Sequence, residues 1–458
     1  MERLILNTIN CHTRNTLCGA AMTICLWALM SAPPALAFTD DDWSAFGGMD
    51  TNAVVFAAVT DDAGNLYIGG HFSSVGGVPA NNIAKWDGHA WSALGSGVHY
   101  DDGDTIVHAL AVSGTNLYAG GIFTHAGGNR AVCVAKWNGN QWSPLGVGVN
   151  SVVGALVVRG TNLYAGGSFN ETSSGPASRI ARWDGIMWHA LGDGMNNTVQ
   201  ALAFLGTNLY AGGLFTTAGG MTVNHVARWD GGTWNRLQND IEPAPGVDGN
   251  VYALAVQGTN LFVGGAFSHA GGYYNTVNIA RWNGYEWWEV YPGVNNTVFA
   301  LGVSGTNLYV GGAFTRSGPP FIGLSANYIA KWDGSTWSAL GSGLNDWVNG
   351  LCVRGGNLYA GGYFSAAGGH ETWALARANI DPAPPPMPTV FTSMEPSVTA
   401  TQACLTFSAE PGTAFDLLGS TNLADWEFKS VLYAGGQTNS VTIDKTRPRE
   451  FFRLRQLQ

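Results

Sequence analysis

One short motif, Asn-Leu-aromatic-x-Gly-Gly-x-Phe, recurs along this chain and constrains its fold more than any other feature of the sequence. The asparagines that open its copies are Asn65, Asn116, Asn162, Asn208, Asn260, Asn307 and Asn357. Their mean spacing is about 49 residues, within the range of repeats that form one small β-sheet each. Seven matches at this spacing indicate a tandem repeat.

Each repeat reads as four short β-strands. In the second copy, apolar runs at 109–112 and 117–123 flank a Gly/Asn turn and predict a hairpin. Two further runs, 132–137 and 141–145, flank Asn138-Gly139, and this dipeptide predicts a tight turn because both residues tolerate positive φ. Six copies share the pattern Trp-[Asp/Asn]-Gly-x-x-Trp, and its first tryptophans are Trp86, Trp137, Trp183, Trp229, Trp282 and Trp332. Four antiparallel strands in each of seven units predict an all-β fold, a seven-bladed β-propeller.

The seventh repeat lacks the last of its four strands. After residue 380 the chain enters a Pro-rich run at 381–388, with no Gly turn and no Trp strand. The missing strand has a counterpart near the other end of the chain, where 43–47 reads WSAFG beside WSALG at 91–95 and 337–341. We therefore expect residues 43–47 to complete the seventh blade by pairing with 374–379, so that closure hides the sheet edges.

The repeat, written NLY-x-GG-x-F … IA-[KR]-W-[DN]-G-x-x-W, resembles the glycine-rich, kelch-like propeller repeats of secreted bacterial proteins and of fungal cell-surface polarity markers. The resemblance covers about residues 43–380. It implies binding or scaffolding and carries no catalytic residue across. Residues 389–458, with their Asn422-Leu423-x-x-Trp426 and a closing F-x-R-L, resemble a short C-terminal β-sandwich module of secreted bacterial proteins.

The first 37 residues have the features of a secretory signal peptide. A short apolar run at 20–30 precedes Ala35-Leu36-Ala37, which is a small-x-small cleavage site. The predicted domains are thus a signal peptide at 1–37, a propeller at 38–380, a Pro-rich linker at 381–388 and the C-terminal module at 389–458. We expect a monomer that is secreted or held at the cell surface, with no transmembrane segment in the mature chain.

Charge and cysteine content exclude two classes of protein. The formal net charge is −10, and no basic patch is visible, so nucleic acid is not an expected partner. Cys133, Cys352 and Cys404 lie beyond the signal peptide, an odd number that does not suit a disulfide framework.

Length variation between repeats falls in the connections at 97–105, 238–250 and 316–327, all on one predicted face. Variable loops on a rigid scaffold are typical of binding surfaces, although aromatic residues there also serve to anchor loops. The candidate ligand-binding residues on this variable-loop face are Tyr100, Asp101, Asp102, Asp104, Asp240, Glu242, Asp248, Tyr273, Tyr274, Phe321 and Trp347.

No cofactor is predicted, with one alternative. Asp101, Asp102 and Asp104 could hold calcium through oxygen ligands, or they could be a solvated acidic loop. His125 and His269 share one slot of the repeat but belong to different units, so the sequence predicts no histidine cluster. The cation before each hairpin tryptophan is predicted to pack its stem on that tryptophan.

Three functions are compatible with these residues. The first is an exported, non-enzymatic propeller that binds a glycan or a surface protein through the variable-loop face. The second is a carbohydrate-active enzyme, a hydrolase or lyase, that uses loop carboxylates. The third is a purely structural scaffold of the cell envelope. No catalytic residue is assigned, since the chain has no G-x-S-x-G, H-E-x-x-H or phosphate-loop motif.

Overall fold

A computed structural model describes residues 38–101, 103–238, 245–272, 276–318 and 323–380, together with the backbone of six strands between 391 and 456. Phe38–Met387 forms one compact unit, and Pro388–Gln458 belongs to another. Beyond a single 3₁₀ turn at Asp40–Asp42, the regular structure of the described residues is entirely β. The all-β class predicted from the repeats is therefore confirmed.

Within 38–380, the described residues form seven four-stranded antiparallel sheets, and each sheet corresponds to one repeat. We number these units 1 to 7. The strands of units 1 to 4 are Val54–Thr60, Leu66–His71, Ile83–Trp86 and Trp91–Ala93; Ile106–Ser113, Asn116–Ile122, Val134–Trp137 and Trp142–Pro144; Val153–Arg159, Asn162–Gly167, Ile180–Trp183 and Trp188–Ala190; Val199–Leu205, Asn208–Gly213, Val226–Trp229 and Trp234–Arg236. Those of units 5 to 7 are Asn250–Gln257, Asn260–Ala266, Ile279–Trp282 and Trp287–Glu289; Val298–Ser304, Asn307–Gly312, Ile329–Trp332 and Trp337–Ala339; Val348–Arg354, Asn357–Gly362, Leu375–Asn379 and Trp43–Ala45.

The Gly-Gly pair of the motif is explained by two close approaches. A Cβ on Gly69 would collide with Val107 of the next unit, and a Cβ on Gly70 would collide with the carbonyl oxygen of Val54 on the neighbouring strand. The first contact recurs from each unit to the next, and the glycine–valine pairs are Gly69–Val107, Gly120–Val153, Gly166–Val199, Gly212–Val251, Gly264–Val298, Gly311–Val348 and Gly361–Val55. The apolar core accordingly lies between neighbouring units, where the side chains of two sheets interdigitate.

The tryptophan pairs belong to this packing between units. In unit 2 the rings of Trp137 and Trp142 lie 5.5 Å apart, and Trp142 is buried. Its indole Nε1 donates to the carbonyl of Leu94 in unit 1 at 2.7 Å. The same bond is formed by Trp188 to Leu145, Trp234 to Leu191, Trp287 to Leu237 and Trp43 to Leu340. In units 2, 3, 4, 5 and 7 a buried indole N–H thus finds its acceptor on the preceding unit, whereas the Nε1 of Trp337 in unit 6 is buried without a partner among the described residues.

The N-terminal strand Trp43–Ala45 lies in the sheet of unit 7. It is antiparallel to Leu375–Asn379, with Trp43 opposite Ala378 and Ala45 opposite Ala376. Phe46, just beyond this strand, is buried against Trp86, Trp91 and Tyr359, and so contacts units 1 and 7. One sheet therefore combines residues that lie 333 positions apart in the sequence, as Ser44 and Arg377 do.

The hairpin between the third and fourth strands differs from the turn expected of an Asp-Gly pair. In unit 1 only Gly88 has positive φ, at 99°, while the Asp87 carboxylate accepts hydrogen bonds from the backbone N–H groups of His89 and Ala90. The loop is thus a four-residue turn closed by a side chain. The same bonds are made by Asn138, Asp184, Asp230, Asn283 and Asp333.

Cys133 and two cations of the third strands have surroundings that the repeat pattern alone did not specify. Cys133 is buried, but it precedes the strand and has a left-handed φ of 63°. Its amide donates to Phe123, so the residue joins two strands at a sharp bend. Cations pack on other rings than the predicted hairpin tryptophan, with Lys85 over Tyr67 and Arg377 over Phe46.

In most units, the loop that joins the second and third strands contains a pair of two-residue strands. They are Ser74–Val75 with Val78–Pro79, Glu171–Thr172 with Gly175–Pro176, Thr217–Ala218 with Met221–Thr222, Arg316–Ser317 with Leu324–Ser325, and Ala366–Ala367 with His370–Glu371. In unit 2 this pair becomes a three-stranded sheet of Asn129–Arg130, His125–Ala126 and Val98–His99.

The second compact unit contains two three-stranded sheets. Their strands, in sheet order, are Phe391–Pro396, Gln402–Ser408 and Thr438–Asp444, then Glu427–Tyr433, Ala414–Ser420 and Phe451–Gln456. In the part of the chain that the structure describes, no helix is long and apolar enough to cross a membrane.

Candidate binding site

One position in the first strand of each unit differs in chemistry from repeat to repeat. It follows a buried valine and lies at a β-bulge, where the register of the first two strands shifts. A bulge leaves one residue outside the regular pairing and redirects its side chain, and bulges are frequent at binding sites. From unit 1 to unit 7 the residues at this position are Phe56, His108, Gly154, Gln200, Tyr252, Phe299 and Asn349.

Four of these side chains join two others to form a continuous row of rings. We call the row the aromatic belt; its members, in order of contact, are Tyr252, Phe299, Trp347, Tyr363, Phe56 and His108. The centroids of successive rings are 5.5, 5.7, 6.2, 6.0 and 5.1 Å apart. The belt spans units 5, 6, 7, 1 and 2 in succession. It lies at the variable-loop face, because Trp347 precedes a first strand and Tyr363 follows a second strand.

Two members of the belt are accessible to a ligand. Trp347 is 45% exposed and Tyr363 is 47% exposed, whereas Phe56, Tyr252 and Phe299 are half-buried. The Trp347 amide donates to the Asp346 side chain at 2.7 Å, which fixes the backbone that carries the indole. The two exposed rings meet edge to face at 85° and form the two walls of a corner.

The remainder of the belt is polar in places but carries no positive charge at neutral pH. Burial lowers the pKa of His108 below its ordinary value, so the imidazole is neutral at pH 7. Beside the belt, the Oδ1 atom of Asn349 is buried without a hydrogen-bond partner among the described residues. An unsatisfied buried acceptor is costly, and Asn349 occupies in unit 7 the repeat position that four members of the belt occupy in other units.

The belt ends at units 3 and 4. Gly154 has no side chain, and a Cβ there would lie 2.9 Å from the Gln200 amide oxygen. The Gln200 side chain therefore reaches over the space that a ring would fill in unit 3. At this repeat position, aromatic side chains are thus confined to units 1, 2, 5 and 6.

A second repeated device fixes the loops around this face. In units 3 to 7 an Asn or Asp before the first strand accepts two backbone N–H groups located 20 and 21 residues later. We call this arrangement the Asx clip; its acceptors are Asn150, Asn196, Asp248, Asn295 and Asn345. Each clip ties the entry to one blade to the loop after that blade's second strand.

Asp248, a predicted ligand residue, is one of these clips. Its Oδ1 accepts from the amides of Ser268 and His269 at 2.7 and 2.8 Å, and its Oδ2 lies 2.5 Å from the Nδ1 of His269. Burial alone would raise the pKa of Asp248, but the bonds from His269 and Ser268 outweigh burial and lower it. The carboxylate is thus occupied within its own unit.

Unit 2 departs from the clip. His99 occupies the Asx position and stacks on His125, with ring centroids 4.8 Å apart and planes 8° apart. Asp101 comes from the inserted loop, and its Oδ1 lies 3.7 Å from His99 Nε2 and 3.3 Å from His125 Nδ1. The structure therefore brings together two histidines that the sequence did not predict to cluster. The signal for this cluster was a histidine in a slot that otherwise holds Asn or Asp.

The remaining predicted ligand residues fall into two groups. Tyr100 and Asp104 are exposed, and the Tyr100 amide donates to Thr105, closing the inserted loop. The residues outside the described part of the chain are Asp102, Asp240, Glu242, Tyr273, Tyr274 and Phe321. The aromatic residues of the first strands were missed, because a ring inside an apolar strand is normally assigned to the core.

Another aromatic surface lies on the outer strand of unit 5. Tyr285, Trp288 and Tyr291 are 62%, 47% and 57% exposed, and Arg281 lies over the Trp288 ring at 5.3 Å. Trp287 and Trp288, with Glu286 and Glu289, line an open cleft there. These rings belong to a single unit, in contrast to the belt.

No family model matches the sequence, and no curated protein matches it either. Among solved structures, the chain is similar to the extracellular domain of BT4673 from B. thetaiotaomicron, with 10% identity, a TM-score of 0.48 and coverage of 90% of this chain and 47% of that one. It is also similar to YCF48 bound to D1 peptide, with 15% identity, a TM-score of 0.46 and coverage of 77% and 100%. The WD40 β-propeller domain of Doa1 is 12% identical, with a TM-score of 0.46 and coverage of 73% and 94%.

This chain thus spans less than half of the BT4673 chain. Likenesses at this level of identity and TM-score carry no argument about function. The β-propeller assignment rests on the order of the sheets and on the packing of each unit against the next in this chain.

Proposed function

We propose that this chain is an exported, non-enzymatic binding protein whose aromatic belt holds a neutral glycan at the variable-loop face of a seven-bladed, kelch-like propeller. The observation that carries the proposal is the row of six rings contributed by five units, with Trp347 and Tyr363 half exposed at its centre.

Sugar rings present flat faces of C–H bonds that pack on aromatic faces, while their hydroxyls need hydrogen-bond partners. Trp347 and Tyr363 offer two such faces at a right angle. Since His108 is neutral, the belt itself favours an uncharged sugar over an acidic one.

The alternative of a carbohydrate-active enzyme depends on free carboxylates in the loops. Asp248 is engaged by two amides and a histidine, which does not suit a general acid or a nucleophile. A surface protein as ligand and a purely structural role are the other outcomes that an experiment must distinguish.

A glycan array probed with the full chain tests the proposal directly. Trp347→Thr is the matched variant, since Thr198 and Thr297 occupy the same repeat position in units 4 and 6. Trp288→Ala, on the outer surface of unit 5, is the control for loss of an exposed indole. We expect the parent to bind neutral glycans and Trp347→Thr to bind about tenfold more weakly or not at all, as for a central aromatic anchor. Trp288→Ala should bind like the parent.

Other results would redirect the proposal. Equal binding by Trp347→Thr and the parent would exclude the belt as the site. Cleavage of an arrayed glycan, abolished by Asp248→Asn or Asp102→Asn, would favour the enzyme. Capture of a surface protein without any glycan would favour the protein ligand, and no binding of either kind would favour the scaffold.

The proposed ring of seven blades is closed by Trp43–Ala45. Support comes from the pairing of this strand with unit 7, from the Trp43 bond to Leu340 and from the contact of Gly361 with Val55. Deleting residues 38–47 should lower the melting temperature sharply and promote aggregation, because it removes two buried aromatic side chains at about 3–5 kcal/mol each and exposes a sheet edge. A truncated protein that melts like the parent would contradict the closure. Trp43→Phe loses the indole bond and also part of the buried ring, and should cost about 1 kcal/mol for the bond plus a further cost for the cavity.

A further inference from the structure

We propose that His99, Asp101 and His125 form a binding site for a divalent transition metal ion of the zinc type. The three side chains belong to unit 2, outside the aromatic belt, and their ligating atoms lie within 4.8 Å of one another.

The backbone fixes the two histidines. His99 and His125 are directly opposite each other on the paired strands Val98–His99 and His125–Ala126, so their side chains leave the sheet on the same face. In the other units the residue corresponding to Val98 makes at most an isolated bridge to this loop, as Val149 does with Thr172. A continuous strand pair is therefore specific to unit 2 among the described residues.

The loop inserted after His99 brings in the third side chain. The Thr124 amide donates to the His99 carbonyl, and the Thr124 hydroxyl donates to Asp101 Oδ2 at 3.0 Å. These bonds hold the Asp101 side chain beside Thr124 and His125. Its Oδ1 remains directed at both imidazoles, at 3.3 Å from His125 Nδ1 and 3.7 Å from His99 Nε2.

The distances suit a metal ion between the groups. Zinc binds imidazole nitrogen and carboxylate oxygen at about 2.0–2.2 Å in a tetrahedron, whose edges are therefore about 3.3–3.5 Å long. The two separations from Asp101 are close to such edges. They are longer than the 2.5 Å contact between Asp248 and His269, where a carboxylate meets a histidine directly.

Accessibility and ligand chemistry identify the class of ion. The side chains of His99 and Asp101 are each 51% exposed, so an ion can enter and keep a water molecule as its remaining ligand. Two imidazoles and one carboxylate suit zinc, copper(II) or nickel(II), whereas calcium prefers oxygen ligands alone. The site therefore differs in chemistry from the calcium loop that was one of two alternatives for Asp101, Asp102 and Asp104 in the sequence.

The test is isothermal titration of the full chain, without a histidine tag, with zinc chloride. His99→Asn restores the residue found in this slot in units 3, 4, 6 and 7, so the variant should fold. Asp101→Asn removes the carboxylate independently. His269→Thr is the matched control, because Thr217 occupies the same slot in unit 4. Melting temperatures verify that each variant is folded.

We expect His99→Asn to bind one zinc ion fewer than the parent and Asp101→Asn to bind at least about tenfold more weakly, while His269→Thr matches the parent. A parent that binds no zinc, or a His99→Asn variant with unchanged stoichiometry and affinity, would overturn the proposal. Binding of calcium but not zinc would overturn it too, in favour of an oxygen-ligand site.

Discussion

Units 2 and 5 have a histidine at the same position of the repeat but use it in different ways. In unit 5, His269 contacts Asp248, the Asx clip that also holds two backbone amides. In unit 2 the clip position is occupied by His99, and the nearest carboxylate to His125, Asp101, comes from an inserted loop. The clip in unit 5 fixes a loop. The cluster in unit 2 instead places three ligating atoms within 4.8 Å of one another.

This difference teaches that the repeat itself defines the stable form of each loop. A residue that replaces the repeated one is then free to take another role, provided that a neighbour assumes the structural bonds. Thr124 does so in unit 2 by linking the His99 carbonyl to Asp101. The same logic applies to the aromatic belt, where Trp347 stands at a position that holds Thr in units 4 and 6, and Tyr363 stands at one that holds Ala in units 5 and 6.

The largest difference in stability between variants of the two units should come from Asp248→Ala in unit 5. This change removes the carboxylate that accepts from the exposed amides of Ser268 and His269, at a cost of roughly 1–3 kcal/mol in total for bonds to a charged group. Urea denaturation should show a lower free energy of unfolding, whereas His99→Ala should change it by less than about 0.5 kcal/mol. Equal destabilisation by both variants would show that His99 also acts as a clip.

Zinc should stabilise the folded chain through the histidine of unit 2 and not through the histidine of unit 5. Zinc at about tenfold above its Kd should stabilise the parent by about 1.4 kcal/mol, since the ion binds the folded chain alone. Thermal melts with and without zinc chloride measure this shift. His269→Thr should keep the shift and His99→Asn should lose it; a shift that persists in His99→Asn would place the ion elsewhere.

The sequence was sufficient for the regular part of this molecule and insufficient for its sites. The Gly-Gly and Trp motifs repeat, so seven copies reinforce one assignment of strands. Site residues such as Phe56, Tyr252 and Phe299 occur once per unit and are separated by about 50 residues or more, so their contact depends on how the units pack. The His99–His125 stack likewise depends on strand register, which local spacing did not indicate.

The smallest expected effect is the change in stability with pH that Asp248 of unit 5 causes. The pKa of Asp248 is lowered in the folded protein, so its carboxylate contributes stability that is present above its unfolded value, near pH 4, and lost as pH falls through the lower folded value. Asp248→Asn keeps the amide bonds of the clip, as Asn295 does, but cannot titrate. The difference in melting temperature between parent and Asp248→Asn should therefore narrow from pH 5 to pH 2. A constant difference would contradict the lowered pKa.

The central claim is that binding resides where this chain departs from its own repeat. The most direct measurement is the glycan-array signal of a triple variant in which His99→Asn, Trp347→Thr and Tyr363→Ala each introduce a residue found at the same position in other units. We expect this protein to melt within about 2–4 °C of the parent, a difference of roughly 1 kcal/mol in the free energy of unfolding, and to show no glycan signal. A folded triple variant that binds glycans as strongly as the parent would show that glycan binding does not reside at these departures from the repeat.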